Sequence, residues 1–187
     1  MVQVRRVSAS THVGAQSATR TRSKLKSLLG RYEIPKRQFA DGCVARVNDD
    51  GRLGFATFYG GSTRGPEGFF GPAIDAAGNV YVTGRYRSTD LVVTNDAFQR
   101  RRAAKGKDGP PLDAVLVVFN SQGQLRYATY FGGSGTDGGR YIAIDSLCTA
   151  VYLVGETTSP NLPLLNPLQS TSSGAFIAKF AIKKHSN

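Results

Sequence analysis

The sequence is poor in the residues that most often carry metal or cofactor chemistry. Its 187 residues contain no Trp, one Met, two Cys and two His. Hydrophobic residues make up 40% of the chain, and no apolar run approaches the ~18 residues that a transmembrane helix needs, so such a helix is excluded. A Ser/His/Asp triad is a poor interpretation, because His12 and His185 stand near the two ends of the sequence.

The two cysteines give no support for a metal centre. Cys43 and Cys148 are far apart in the sequence, whereas zinc sites draw on clustered ligands. We therefore interpret them as ordinary buried or half-buried thiols, with a disulfide as the alternative that spacing leaves open.

Acidic residues are scarce as well, and the resulting charge is uneven. Against 13 Asp and Glu stand 24 Lys and Arg, which gives a formal net charge of +11. Residues 1–40 contain nine basic residues and a single acid, Glu33. This segment is rich in Ser, Thr and Gln and buries too little apolar surface to offset the entropy of ordering. We expect a largely disordered basic extension, with one short helix as a candidate over 21–29 that Gly30 can end.

Three interpretations of this basic extension remain open. It is a functionally silent extension, or a segment that binds nucleic acid or another anionic polymer by releasing counterions, or an Arg- and Ser-rich segment of the organelle-targeting type. A secretory signal is excluded, because Arg5 and Arg6 interrupt the only early valines and leave no apolar stretch of ~7–15 residues.

Glycine is plentiful, at 22 residues, and much of it lies in an internal repeat. Residues 41–62 match residues 113–134 at a spacing of 72, including a shared Gly-Gly-Ser triplet. Val80–Gly84 then matches Val151–Gly155, and residues 174–180 begin the cycle again. A repeat region over 41–184 follows, with units at 41–112 and 113–173 and a partial unit at 174–181.

Each repeat unit predicts four short strands. Alternation places Phe55, Thr57 and Tyr59 on one face of a strand, and Asn, Asp and Gly over 48–51 are typical of a hairpin turn. Strands are predicted at 43–48, 53–59, 72–75, 80–85, 114–119, 125–131 and 141–145, with the matched segments 151–155 and 174–180 bringing the total to about nine. Four strands in about 60 residues, with turn residues at fixed places, indicate a β-propeller blade.

The repeat resembles the SBBP repeat, a bacterial β-propeller repeat, over 41–181. The segments that carry the resemblance are Ala56–Ser62, Ile74–Gly84, Asp90–Gln99 and Ala175–Phe180. The resemblance implies blades of four antiparallel strands and a place in bacterial cell-surface or secreted proteins. It brings no catalytic residues. Leu147–Thr149 departs from the pattern by lacking the turn Gly and Asn, so a less tight hairpin is expected there, and Gly174 replaces the usual Asp.

The fold expected is therefore all-β, an incomplete β-propeller of about two to three blades. Propellers close with 4–8 blades, and blades bury their faces only against neighbours. The chain is then a piece of a longer propeller, a diverged remnant, or a subunit that completes its blades with further copies of itself.

The first unit also contains a basic insertion over 100–111, which lies between the inner and the outer pair of strands of a blade. Its basic residues are Arg100, Arg101, Arg102, Lys105 and Lys107. The insertion is a solvated loop, or a contact for an anionic ligand; on the second interpretation these five are the candidate ligand-binding residues.

No catalytic constellation emerges from the remaining residues. Asp75 and Asp145 stand at equivalent strand ends and are expected to bond the turn that follows. Gly132–Gly139 is Gly-rich but lacks the Gly-Lys-Ser/Thr ending and the helix of a phosphate-binding loop, and Asp137 lacks companion ligands for Ca²⁺. We expect a non-enzymatic interaction scaffold without cofactors, whose partner is itself or another protein. The alternative is anionic-polymer binding through residues 1–40 and the 100–107 loop. An enzymatic role is third, since no acid/base pair can be named.

Overall fold

A computed structural model describes residues 41–48, 50, 52–63, 67–102, 111–169 and 174–182. These residues form strands and no helix, which confirms the all-β class. The nine strands are β1 (Gly42–Val47), β2 (Leu53–Tyr59), β3 (Gly68–Ile74), β4 (Val80–Tyr86), β5 (Asp113–Phe119), β6 (Leu125–Phe131), β7 (Asp137–Ile144), β8 (Ala150–Thr157) and β9 (Ala175–Ala181). The extension over 1–40, with its candidate helix at 21–29, lies outside the described residues.

Most predicted strands agree with the observed bounds to within two residues. The exceptions are β3 and β7, which both begin four residues earlier than predicted. Each carries a β-bulge near its middle, between Phe70 and Pro72 in β3 and between Gly139 and Tyr141 in β7. A bulge inserts an extra residue and shifts the alternation of faces, so the apolar pattern identifies only the half of the strand after the bulge.

The strands form three antiparallel sheets that follow one another along the chain. The first sheet is β1-β2, the middle sheet is β3-β4-β5-β6, and the last sheet is β7-β8-β9. Consecutive strands are neighbours throughout, so each sheet is a simple meander. The outermost strand of one sheet leads into the first strand of the next, through residues 60–67 and 132–136.

The middle sheet is covered on both faces. All seven residues of β5 are buried. Val115 and Val117 belong to the apolar core shared with the first sheet, together with Val44 of β1. Leu116 faces the other way and packs with Val151 of the last sheet. The alternation of strand side chains thus sends every second residue of β5 to a different neighbouring sheet.

Aromatic rings fill the core between the first and middle sheets. Tyr59, Phe69 and Tyr86 surround one another, with ring centroids 5.6 to 5.8 Å apart. The Tyr86 hydroxyl donates a hydrogen bond to the carbonyl oxygen of Tyr59, at 3.2 Å. Gly42 lies against the Tyr86 hydroxyl and the Phe69 ring, and a Cβ there would overlap both. Glycine at this position therefore permits the close approach of β1 to the aromatic cluster.

The hairpin that departs from the repeat pattern keeps one turn hydrogen bond of its counterpart but is longer. In the β3-β4 turn Gly78 has φ of 80° and donates its N–H to the carbonyl of Asp75, at 3.0 Å. In the β7-β8 turn Cys148 takes the same role with φ of 51° and donates to Asp145, at 2.9 Å. The second hairpin is one residue longer, because Asp145 pairs with Ala150. The turn is thus longer, as expected, and it places a non-glycine residue in the left-handed region.

Replacing Cys148 with Gly should raise the free energy of unfolding by about 0.5–1 kcal/mol. A side chain in the left-handed region costs ~1–2 kcal/mol, from which the ~0.5–1 kcal/mol entropic cost of glycine must be subtracted. Denaturant unfolding measures the change. The matched substitution Gly78→Ala should lower stability by about 1 kcal/mol. Equal stabilities of Cys148→Gly and the parent would contradict this account of the turn.

Candidate functional site

The basic loop predicted to bind an anionic ligand divides into exposed and buried arginines. Arg100 and Arg101 are exposed, and Arg100 donates a hydrogen bond to Asn95 Oδ1, at 3.3 Å. Lys105 and Lys107 lie outside the described residues. The side chain of Arg102, in contrast, is only 2% exposed. The three arginines are adjacent in sequence but do not form one surface.

Arg102 ties the base of the loop together. Its guanidinium forms an ion pair with the buried Asp113 carboxylate, at 3.4 Å. It also donates hydrogen bonds to the carbonyl of Arg87, at 2.6 Å, and to that of Pro111. These bonds join the segment that follows β4 to the start of β5, so the loop departs and returns at a fixed place. Arg102 has a structural position, and the ligand binding expected of the five basic residues of the loop stays a prediction.

A buried carboxylate stands at each connection between sheets. In the connection to the last sheet, Asp137 Oδ2 accepts hydrogen bonds from the N–H of Gly133 and from Ser159 Oγ, both at 2.7 Å. Asp137 Oδ1 accepts a bond from the Thr157 hydroxyl. Asn161 completes the group by accepting the N–H of Ser134, at 2.7 Å. We call Asp137, Ser159 and Asn161 the second polar cluster.

The equivalent group at the connection to the middle sheet is the first polar cluster, formed by Glu67, Ser88 and Asp90. Glu67 Oε2 accepts a bond from Ser88 Oγ at 2.9 Å, and Oε1 accepts the N–H groups of Arg87, at 2.6 Å, and Ser88. Asp90 accepts the N–H of Ser62, at 2.9 Å. Both clusters fasten a Gly-Gly-Ser connection to the loop after the second strand of the next sheet.

The Gly-rich segment after β6 has its backbone donors engaged by side chains. The N–H groups of Gly133, Ser134, Gly135 and Thr136 donate to Asp137, Asn161, Ser159 and Thr158, respectively. A phosphate-binding loop needs several such donors aimed at the ligand. The segment is therefore arranged to hold the sheet connection.

The two aspartates at strand ends bond their own turns, which confirms the prediction for them. Asp75 accepts bonds from the N–H groups of Ala77, at 3.0 Å, and Asn79, at 2.9 Å. Burial pushes the pKa of Asp75 upward, but these bonds outweigh it and hold the pKa below its ordinary value. Asp145 likewise accepts hydrogen bonds from the Thr149 hydroxyl and from the N–H groups of Thr149 and Ala150, and these bonds lower its pKa.

Both cysteines are free and partly exposed, which confirms their interpretation as ordinary thiols. Burial raises the pKa of the Cys43 thiol to about 11, so it is protonated at neutral pH. Within the part of the chain that the structure describes, no three His, Cys, Asp or Glu side chains lie together in a way that could hold a metal ion.

An arginine pair that sequence reasoning missed lies between the middle and last sheets. The guanidinium groups of Arg85 and Arg140 lie over the Phe70 ring, 5.7 and 5.0 Å from its centroid. Glu156 accepts a hydrogen bond from Arg140 at 2.6 Å and lies 3.9 Å from Arg85. The group is partly exposed. Arg85 and Glu156 occupy matched positions of the two repeat units but have opposite charges, so comparing the units for identical residues hides them.

The comparisons with known proteins add no identity. No protein-family model matches the chain, and no curated protein is significantly similar to it. The described residues contain no helix long and apolar enough to cross a membrane.

Replacing Arg102 with Ala should lower the free energy of unfolding by about 3 kcal/mol, because it leaves the buried Asp113 carboxylate without its cation. Arg101→Ala, one residue earlier and exposed, should change it by less than ~0.5 kcal/mol. Thermal or denaturant unfolding compares the two variants. Equal effects would show that Arg102 has no anchoring role.

Stability should depend on pH through Glu67. Burial raises the pKa of Glu67 above its ordinary value of 4.5, although hydrogen bonds from Ser88 and Arg87 oppose the shift. Ionisation is then less favourable in the folded protein than in the unfolded chain, so it destabilises the fold increasingly as pH rises above 4.5. Glu67→Gln should therefore become more stable relative to the parent between pH 4 and pH 7.

Asp145→Asn serves as the control of opposite sign. Hydrogen bonds from Thr149 and Ala150 lower the pKa of Asp145, so its stabilising contribution is present at neutral pH and is lost on acidification. Relative to the parent, this variant should become less stable as pH rises. Parallel pH profiles for the Glu67 and Asp145 variants would refute at least one of the two assignments.

Proposed function

We propose that the chain is an incomplete β-propeller module of the SBBP type that acts as a non-enzymatic interaction scaffold. The observation that carries the proposal is the middle sheet. It has four antiparallel strands in simple meander order, and it is buried on both faces by the sheets before and after it. Four-stranded meanders packed face to face in chain order are the building principle of propellers.

The connections between sheets support the same interpretation. In each case the last strand of one sheet leads into the first strand of the next, from β2 to β3 and from β6 to β7, as expected where an outer strand of one blade leads into the inner strand of the next. The first and second polar clusters hold these two connections by equivalent bonds. The most buried carboxylates of the described residues thus serve the architecture, and the surface is left for interaction with another protein or with a second copy.

Amide hydrogen exchange on the full chain tests the stacked architecture. β4 and β5 have a hydrogen-bonded strand on either side and a covering sheet on either face, so their amides should be the slowest to exchange. β1, in the two-stranded first sheet, should exchange faster through local opening. Equal protection of β1 and β5 would contradict the stacking of blades on which the proposal rests.

Binding of an anionic polymer is the second candidate function. The observation in its favour is that Arg100 and Arg101 are exposed side by side on a loop whose base Arg102 fixes. Phosphate or sulfate groups along a polymer would bind such a patch mainly through charge and counterion release, with little sequence selectivity.

Salt elution from immobilised heparin tests this second function. Arg101→Glu should elute at lower salt than the parent, whereas the charge-matched Arg52→Glu, in the first hairpin, should elute with the parent. The basic extension over residues 1–40 is tested in the same way, by replacing Arg20, Arg22, Lys24 and Lys26 with Gln in the full chain. A parent chain that heparin does not retain at low salt excludes the polymer-binding function.

A further inference from the structure

One face of the middle sheet packs against the last sheet and is almost fully buried. Tyr81 of β4 and Leu116 and Val118 of β5 lie on the face that contacts the last sheet, and they are 5%, 2% and 8% exposed. They pack with Val151 and with half-buried residues of β7 and β9. This face is therefore covered by the sheet that follows it in the chain.

In the part of the chain that the structure describes, no further sheet covers the equivalent face of the last sheet. In the repeat, Tyr152 and Lys179 are the equivalents of Tyr81 and Val118. Tyr81 lies opposite Val118 on the second and third strands of the middle sheet, and Tyr152 lies opposite Lys179 on the second and third strands of the last sheet. Ile177, the equivalent of Leu116, is 76% exposed, and Tyr141 in the same row of the sheet is 72% exposed. Among the described residues no strand pairs with the outer edge of β9 either.

The complementary face is present on the first sheet. Val115 and Val117 of the middle sheet face backwards, toward β1 and β2. Their repeat equivalents, Cys43 and Ala45, lie on the side of β1 that faces away from the middle sheet. Strand register places Phe58 and Ala56 directly beside them. These four side chains carry no charge.

We infer that a second copy of this chain covers the outer face of the last sheet with the outer face of its own first sheet. The inference rests on the proposed blade architecture. The same kind of contact is already formed twice within the chain, between first and middle sheets and between middle and last sheets. A contact of this head-to-tail type is heterologous, so further copies add in the same way until the rotation closes a ring.

The charges on the exposed face favour this arrangement over one in which two last sheets meet. A symmetric contact between last sheets would bring the Lys179 ammonium groups of both copies into one largely apolar interface, where like charges repel each other. The first sheet offers only apolar side chains at the equivalent place. Lys179 keeps its ammonium 5.8 Å from the centre of the Tyr152 ring, and its long stem can lie along apolar surface while the charge stays at the rim.

Lys179 also weakens the contact between copies, because a charged side chain stands where the middle sheet has the apolar Val118. A lysine on an open edge strand discourages pairing with foreign strands. Lys179→Val restores the residue that the internal contact uses, and it should tighten association between copies by roughly tenfold.

Sedimentation velocity of the full chain over a range of concentrations tests the inference. The parent should form assemblies larger than the monomer as concentration rises. Ile177→Asp, at a position 76% exposed, should remain monomeric with an unchanged circular dichroism spectrum. Val92→Asp is the matched control, since Val92 is 66% exposed and lies in the loop after β4, and it should assemble like the parent.

Mixing two variants identifies the faces. Ala45→Asp, on the first sheet, should also abolish assembly. Ile177→Asp retains an intact first sheet and Ala45→Asp an intact last sheet, so an equimolar mixture should form one-to-one heterodimers and nothing larger. If last sheets met each other instead, Ala45→Asp would still assemble and the mixture would give no heterodimer.

Three results would overturn the inference: a parent chain that is monomeric at every concentration, an Ile177→Asp variant that assembles like the parent, or a mixture without heterodimers. The proposed blade architecture would survive each of them. It is tested separately by the exchange rates of β1, β4 and β5, which report contacts within one chain.

Discussion

Burial of both faces of the middle sheet is the constraint on which the rest of the structure depends. The strand β5 has no solvent-exposed side, and its last five residues are all large and apolar. Full burial of a Val, Leu or Phe side chain stabilises a protein by ~1.5–3 kcal/mol, so these five contribute on the order of 10 kcal/mol. Net stabilities of whole domains are ~5–15 kcal/mol. Loss of either neighbouring sheet would therefore remove a large share of what holds the middle sheet together.

The polar groups of the interior serve the same stacking. A buried carboxylate is unfavourable unless hydrogen bonds or a cation compensate it. Glu67, in one sheet connection, accepts bonds from the Ser88 hydroxyl and from N–H groups of the loop after β4. Asp137 accepts bonds from the Ser159 hydroxyl and from the N–H of Gly133 in the other connection, and Asp113 is paired with Arg102. Glu67 and Asp137 hold the path of the chain from one sheet to the next, and Asp113 holds the loop between β4 and β5. Burial of Glu67 raises its pKa. Because the buried acids serve the interior, the apolar surface that remains for a partner is on the outer faces of the first and last sheets.

Prediction from the sequence succeeded where the signal is local. Alternating side chains located β2 and β6, and Asn, Asp and Gly located the hairpins, because both effects act within a few residues. It was least accurate at β3 and β7, where a bulge interrupts the alternation. The polar clusters could have been predicted from the repeat, since Ser88 and Ser159 stand at matched positions of the two units. They were missed because acids and serines in connections are usually solvated, and nothing in their neighbourhood marks them as buried.

The sequence by itself determined the strands, their order and the internal repeat, since periodicity and turn chemistry are properties of short segments. Only the tertiary structure decided which of these residues are covered. It buries Arg102 beside Asp113 while the adjacent Arg101 stays exposed, and it leaves Ile177 open where its repeat equivalent Leu116 is enclosed. The physical reason is that burial depends on which sheet lies opposite, and that partner comes from a distant part of the chain.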